Sequence, residues 1–228
     1  MDIQYSVKRS RKRKKTICLQ ICGASEVKVY APSLMPEAEI LKFIEEKQTW
    51  IFKSIQRHNT SPAQKKQKEY ATGEIFYYLG EAYPLEAFFE PMENHGVIFW
   101  KDRFFLNCPA NEDMQKHYFE LWYKEKARQH IPGRVAHFSR TLGLHPHDIR
   151  ITSARSRWGS CSAQNVLAFS FRLVMAPPKA IDYVIVHELM HIRQKNHSSK
   201  FWHLVVEAMP QYATHRRWLR DHQQLFDL

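Results

Sequence analysis

No stretch of this chain approaches the ~20 consecutive apolar residues that a membrane-spanning helix requires, which excludes that class. The opening residues, Met1-Asp2-Ile3-Gln4-Tyr5, lack the apolar core of a secretory signal, so a cytoplasmic protein is expected. Cysteine is sparse. Four in 228 residues, with no CxxC pair, exclude a disulfide scaffold and predict reduced thiols. Cys18 and Cys22 share one face of an expected strand and read as structural thiols, and nothing in the sequence obliges a histidine to activate Cys161. There is no internal repeat, no low-complexity tract and no recognisable nucleic-acid-binding motif. Acidic residues are also in deficit, 23 against 34 Lys and Arg, for a formal charge of +11. Arg9, Arg11, Lys12, Arg13, Lys14 and Lys15 form one basic cluster; Lys65, Lys66 and Lys68 form another. Such clusters suit nucleic acid or an acidic substrate, or simply a solvated surface.

What is present describes a folded α+β chain. Hydrophobic residues make up 44% and aromatics 13%, and the length allows a substantial core. Thr16 to Cys22 and Val27 to Tyr30 alternate around Gly23-Ala24-Ser25, as a hairpin does. Pro36 and Glu37 open a helix predicted to reach about His58, with Ile40, Phe43, Ile44, Ile51 and Ile55 on one stripe. A polar connection, Ser61 to Glu69, leads to strands at Ile75–Leu79, Tyr83–Phe89, Val97–Trp100 and Phe104–Leu106. From Asn111 the periodicity turns helical, with a break expected at Pro132-Gly133. Ile149–Thr152 is a short strand, and the alternation from Val166 to Val174 predicts a half-buried one. The expected organisation is a β-rich region over 1–108, with one helix, and a helical catalytic domain with a short sheet over 109–228.

Chemistry concentrates in His187-Glu188-Leu189-Met190-His191, followed by Asn196-His197. At ~100° per residue, His187 and His191 lie only ~40° apart on a helix and can reach one metal ion. Glu188 falls on the adjacent flank, suited to taking a proton from an activated water rather than to ligation. This is the HExxH arrangement of zinc peptidases. Pro177-Pro178 and the apolar run Ala180 to Val186 put it on a buried helix, where unpaired His and Glu are costly. Two histidines hydrogen-bonded in a core, with Glu188 in an ion pair, is the bland alternative.

A third ligand requires the helix to stop. Continued straight, it would carry His197 ~240° round from His191, onto the wrong face. Asn196 suits a left-handed helix end, and Ser198-Ser199 a cap for the next helix. His197 is then the preferred third ligand. Glu207 on the following helix competes, and His203 is a weaker rival. Candidates for a substrate contact are Arg157, with stacking on Trp158 as its alternative role, and Tyr212, with packing on Trp218 as its alternative.

The segments Arg157-Trp158-Gly159-Ser160-Cys161, Arg172-Leu173, Ala176-Pro177-Pro178, Ile181-Asp182-Tyr183-Val184, His187-Glu188-Leu189 and Asn196-His197-Ser198 with Phe201-Trp202 resemble the YgjP-type zinc metallopeptidases. That group is similar to the WLM and SprT zincins, some of which act on proteins crosslinked to DNA. The resemblance implies Zn2+ held by His187, His191 and His197, Glu188 as catalytic acid and base, and a peptide or protein substrate. Two other readings stay open: a nucleic-acid-associated peptidase confined to bound proteins, and a zinc-binding module without turnover.

Overall fold

Val27, Val29 and Ala31 alternate along the strand Glu26–Pro32 (β3) and are fully buried. β3 is the middle of a three-stranded sheet, with Tyr5–Ser10 (β1) parallel and Cys18–Cys22 (β2) antiparallel to it. The expected hairpin is thus β2–β3. Its turn lies outside the residues that this computed structural model describes, which are 5–11, 13, 16–22, 26–52, 55, 68–91 and 94–228. β1 is not legible in the sequence because five of its six side chains are exposed, leaving no buried face to write a pattern. Arg9, within the first basic cluster, belongs to this strand and donates to the Met35 carbonyl at 2.6 Å. Helix Glu37–Glu46 (α1) buries Ile40 and Ile44, and Ile51 from a further helical stretch at 48–52 joins that core. The expected helix end near His58, the connection up to Gln67, and Lys12, Lys14, Lys15, Lys65 and Lys66 lie outside the described residues.

Residues 1–66 and 67–228 form two compact units, and a division at residue 108 would cut the second. The reason is a shared core. Strands Ile75–Tyr78 (β4), Glu81–Phe88 (β5), Gly96–Trp100 (β6) and Arg103–Asn107 (β7) form a sheet of order β4-β5-β7-β6. Its buried Phe76, Leu85, Phe104 and Leu106 pack with Phe119 and Tyr123 of the helix Glu112–Leu142 (α2). Contrary to expectation, α2 continues through Pro132. Its buried residues Gln115, Phe119, Tyr123, Ala127, Ile131, Val135 and Ser139 recur every four positions, an unbroken face whose burial outweighs the ~3 kcal/mol cost of an interior proline.

The second sheet of this unit has order β8-β10-β9. Val166–Ser170 (β10) runs parallel to Asp148–Thr152 (β8) and antiparallel to Gly159–Cys161 (β9). β10 ends at Ser170, not Val174. Phe171–Met175 turn into a 3₁₀ segment in which all five residues are buried. Arg172 reads as an outward polar residue in the alternation, but it is buried and paired with Glu120 of α2 at 3.3 Å. The β4–β5 turn then docks on this segment: the Leu79 and Gly80 amides donate to the Val174 and Met175 carbonyls at 2.8 and 3.1 Å. Both turn residues have positive φ, 50° and 89°, as a two-residue hairpin turn requires. A Cβ on Gly80 would fall 2.7 Å from the Pro177 Cα. This contact sets where the next helix begins.

That helix, Pro178–Arg193 (α3), has proline in its first turn and is buried along most of its length. Ser199–Ala208 (α4) and Tyr212–Asp221 (α5) follow, and a 3₁₀ turn at Gln223–Phe226 closes the chain. No helix among the described residues is long and apolar enough to cross a membrane.

Arg134 of α2 grips Asp182 of α3 through two hydrogen bonds of 2.8 Å, with the carboxylate buried. Arg134→Ala would strand that charge. The expected cost is roughly 2–5 kcal/mol, toward the lower end because Arg134 is part-exposed, read as a lower urea midpoint with unchanged slope. An unchanged midpoint would mean that the pair does not hold α3.

Candidate metal centre

His187 and His191 project from α3 one turn apart. The helix stops at Arg193 because Gln194 turns extended, with φ −136° and ψ 105°. Asn196 is not among the described residues of positive φ, so the expected left-handed end is absent. Asn196 acts through its side chain instead, accepting from Gln194 Nε2 at 2.7 Å and from the Ser198 amide at 3.3 Å. Ser198 stands at the N-cap of α4, but its hydroxyl makes no capping bond. This short polar turn carries His197 back toward the helix.

The result is a cluster of three imidazoles. His197 Nε2 lies 2.9 Å from His187 Nε2 and 3.2 Å from His191 Nε2. Four-coordinate zinc with nitrogen ligands at about 2.0–2.1 Å spaces them about 3.3–3.4 Å apart, so the set fits one small ion. The His191 ring has its other nitrogen, Nδ1, 2.9 Å from the Gln194 carbonyl, which assigns the proton to Nδ1 and frees Nε2 as a donor to metal. His187 Nδ1 is buried without a partner. Burial, then the facing imidazoles of His191 and His197, drives the His187 pKa down to about 3. It is therefore neutral near pH 7, the form that binds metal. Burial lowers His191 also. Among the described residues this is the cluster of His, Cys, Asp and Glu side chains able to hold an ion. Glu207 is exposed and outside it, and His203 bonds back to the Ser199 carbonyl at 2.8 Å.

Aromatic rings wall the cluster. Phe201, fully buried, lies 4.4–4.9 Å from all three imidazoles. Trp202 is 5.8 Å from His187 and from His197. Tyr212 stacks on Trp202 at 5.4 Å, which places it beside the centre; Trp218 instead stacks on His222. Tyr183, one turn before His187, joins this wall at 5.9 Å from the His187 ring. Its i−4 spacing from His187 was a readable signal.

Glu188 turns toward β9. It is 6% exposed, and burial pushes its carboxyl up to about 8, opposed by the charge of Arg157. The space it occupies is the one a side chain at Gly159 would take: a Cβ there would stand 2.6 Å from Glu188 Cγ and 2.8 Å from Oε1. Sequence reasoning passed over Gly159, since only the meeting of β9 with α3 reveals its role. Arg157 itself is exposed and lines a small cavity with Trp158, Gly159 and Ser160. Lys195, from the turn after α3, donates to the Ser162 carbonyl at 2.9 Å and to Asn165 Oδ1 at 2.6 Å, fastening that turn to the β9–β10 connection.

Three converging imidazoles from a helix and its following turn, with a buried carboxyl alongside, define a candidate mononuclear metal site. The family described as “YgjP-like, metallopeptidase domain” matches residues 15–222, and the chain belongs to that family. Among solved structures, it is similar to the “metallopeptidase zymogen of Pyrococcus abyssi abylysin” at 21% identity and a TM-score of 0.37, over 41% of this chain and 95% of that one. No curated protein matches.

Proposed function

We propose that this protein is a zinc-dependent peptidase, with His187, His191 and His197 as the metal ligands and Glu188 as the general base and acid. The observation that carries the reading is the approach of His197 Nε2 to 2.9 and 3.2 Å from the Nε2 atoms of His187 and His191, beside a buried glutamate. A zinc ion held there would act as a Lewis acid toward a peptide carbonyl and lower the pKa of water. Glu188 takes the proton of the attacking water and returns it to the departing amine. In the metal-free chain burial raises this carboxyl to about 8; a bound dication would favour the carboxylate, the form that accepts a proton from water. Tyr212 is the proposed donor to the carbonyl oxygen, with Arg157 as its competitor. The outer edge of β9 is the proposed seat for an extended peptide, since β9 is an edge strand whose Gly159 touches Glu188. The free thiols Cys18, Cys108 and Cys161 suit a reducing compartment, and a cytoplasmic location is proposed.

The ligand set is tested by metal analysis of tag-free protein beside His197→Ala. The expected result is about one zinc per wild-type chain and at least tenfold weaker retention in the variant, with chelation abolishing hydrolysis of an unfolded protein substrate. Full retention by the variant would move the third ligand elsewhere. A wild-type chain that takes up no zinc would overturn the peptidase reading.

A further inference from the structure

The turn of α3 gives the imidazole cluster two different flanks. At ~100° per residue, Glu188 lies ~100° from His187 on one side and Tyr183 ~40° from it on the other. Glu188 meets Gly159 of β9. Tyr183 meets α5, its ring standing 5.9 Å from His187 and 6.2 Å from Tyr212. Tyr212 stacks on Trp202, and the Trp202 ring is tilted only 30° to that of His197 at 5.8 Å. One helical turn beyond Tyr212, Arg216 lies 4.7 Å over Trp202. The histidines are therefore flanked by a carboxyl on the side of β9 and by an aromatic wall bearing a guanidinium on the side of α5.

The charge of Arg216 reaches into the site. His187 is kept neutral first by burial, then by the two facing imidazoles, and also by Arg216. The same charge acts on Tyr183, against the larger upward effect of burial. Arg216 is exposed, and among the described residues no hydrogen bond or ion pair engages it. The stack on Trp202 orients the guanidinium plane and leaves its N–H donors without a protein partner. Neighbouring acids are committed elsewhere: Asp182 is gripped by Arg134 at 2.8 Å, and the cation acting on Glu188 is Arg157. Arg157 itself opens, with His147 and Arg150, onto a basic groove. That groove follows Ser160, Ala168 and Arg150, paired neighbours on the sheet face opposite Gly159. Arg216, by contrast, adjoins the histidines.

The four-residue step from Tyr212 to Arg216 spans about 6 Å of helix, close to two residues of extended peptide. We propose that Arg216 receives a carboxylate of the substrate, within about two residues of the scissile bond, and makes the site selective for acidic peptides. A carboxylate can accept two parallel bonds from the guanidinium, with Trp202 shielding one side of the pair from water. An uncharged amide gains less, and a lysine meets like charge. Two groups supply this chemistry: an Asp or Glu side chain, or the free carboxylate at a peptide's C-terminus. The proposal rests on the peptidase reading for its consequence but not for its test.

Four dye-labelled peptides of equal length are titrated by fluorescence anisotropy into the zinc-treated Glu188→Gln protein, so that binding is read without turnover. Three are amidated and carry Glu, Gln or Lys at their central positions; the fourth is the Gln peptide with a free C-terminus. A carboxylate-bearing peptide is expected to bind about fivefold more tightly than the amidated Gln peptide. Preference for the Glu peptide identifies a side chain as the source, and preference for the free acid identifies a chain end; either supports the proposal. Adding Arg216→Gln should bring all four within about twofold of one another, and Arg216→Glu should favour the Lys peptide. Arg217→Gln removes the same charge from an exposed position on the same helix and should leave the preference intact. A preference that survives Arg216→Gln, or that Arg217→Gln removes equally, overturns the proposal. Equal binding of all four peptides, or binding of none, overturns it as well. The wild-type enzyme should cleave the preferred peptide with the higher kcat/KM. A preference that depends on Arg216, with no peptide cleaved by the wild type, supports the carboxylate site and rejects the peptidase.

Discussion

Replacing Glu188 by glutamine is expected to leave zinc bound and to lower kcat by roughly 10²–10⁴-fold, the usual worth of a positioned general base and acid. Glutamine has nearly the same shape, so it fits the space left by Gly159 without disturbing α3 or the three imidazoles. What it lacks is a proton-accepting carboxylate. KM should change little, because in the proposed mechanism Glu188 acts on the water and the departing amine rather than holding the peptide. A variant with wild-type kcat would reject the assigned role outright. The same substitution has a pH signature independent of turnover. In the metal-free chain burial holds Glu188 near 8, so at pH 7 it is mostly protonated. A dication favours the carboxylate, so zinc uptake expels that proton. Zinc affinity should therefore rise as pH climbs toward about 8 and, as far as this group is concerned, level off above it. In Glu188→Gln that component is absent. Zinc titrations at pH 6.5, 7.5 and 8.5 showing identical slopes for both proteins would contradict the assigned ionisation.

Gly159→Ala is expected to be almost as damaging, although residue 159 bears no chemistry. Its new methyl would stand 2.6–2.9 Å from three atoms of the Glu188 side chain, well inside contact distance. The strand cannot easily retreat, since Gly159 pairs with Phe169 and Trp158 accepts from the Ser170 amide at 2.8 Å. The glutamate gives way instead. A displacement of about 1 Å at the base is worth roughly 10²-fold in turnover, and the crowding should cost about 1–3 kcal/mol of stability. Zinc content should be unchanged, because the imidazoles are held from the other side by Phe201 and Gln194. The decisive control is the double variant with Glu188→Ala. Truncating the glutamate empties the contested space, so Gly159→Ala should then cost little stability. If the penalty persists in that background, the clash lies with the backbone rather than with Glu188.

How far each feature could be read from the sequence depends on the range of the interaction that creates it. The β2–β3 pairing, the strands β4 to β7 and the start of α3 follow from alternation, turn residues and Pro177-Pro178, all local signals. Two errors share one cause. Pro132 reads as a break and Arg172 as an outward strand residue because the burial that overrides both is supplied by distant parts of the chain. β1 escaped for the opposite reason, since a mostly exposed strand has no apolar period to detect.

The sequence by itself determined that His187 and His191 share a helix face and that Glu188 lies on its flank, because 3.6 residues per turn permit nothing else. It also made an end of the helix before His197 the condition for that histidine to join them. The tertiary structure alone decided which side chain that turn returns to the pair, placing His197 among the imidazoles and leaving Glu207 and His203 outside. It also decided that a missing side chain on β9 houses the carboxyl of Glu188 and that Arg157 opens onto a basic groove. Those are contacts between residues some thirty positions apart, and helical or strand periodicity carries no information about them.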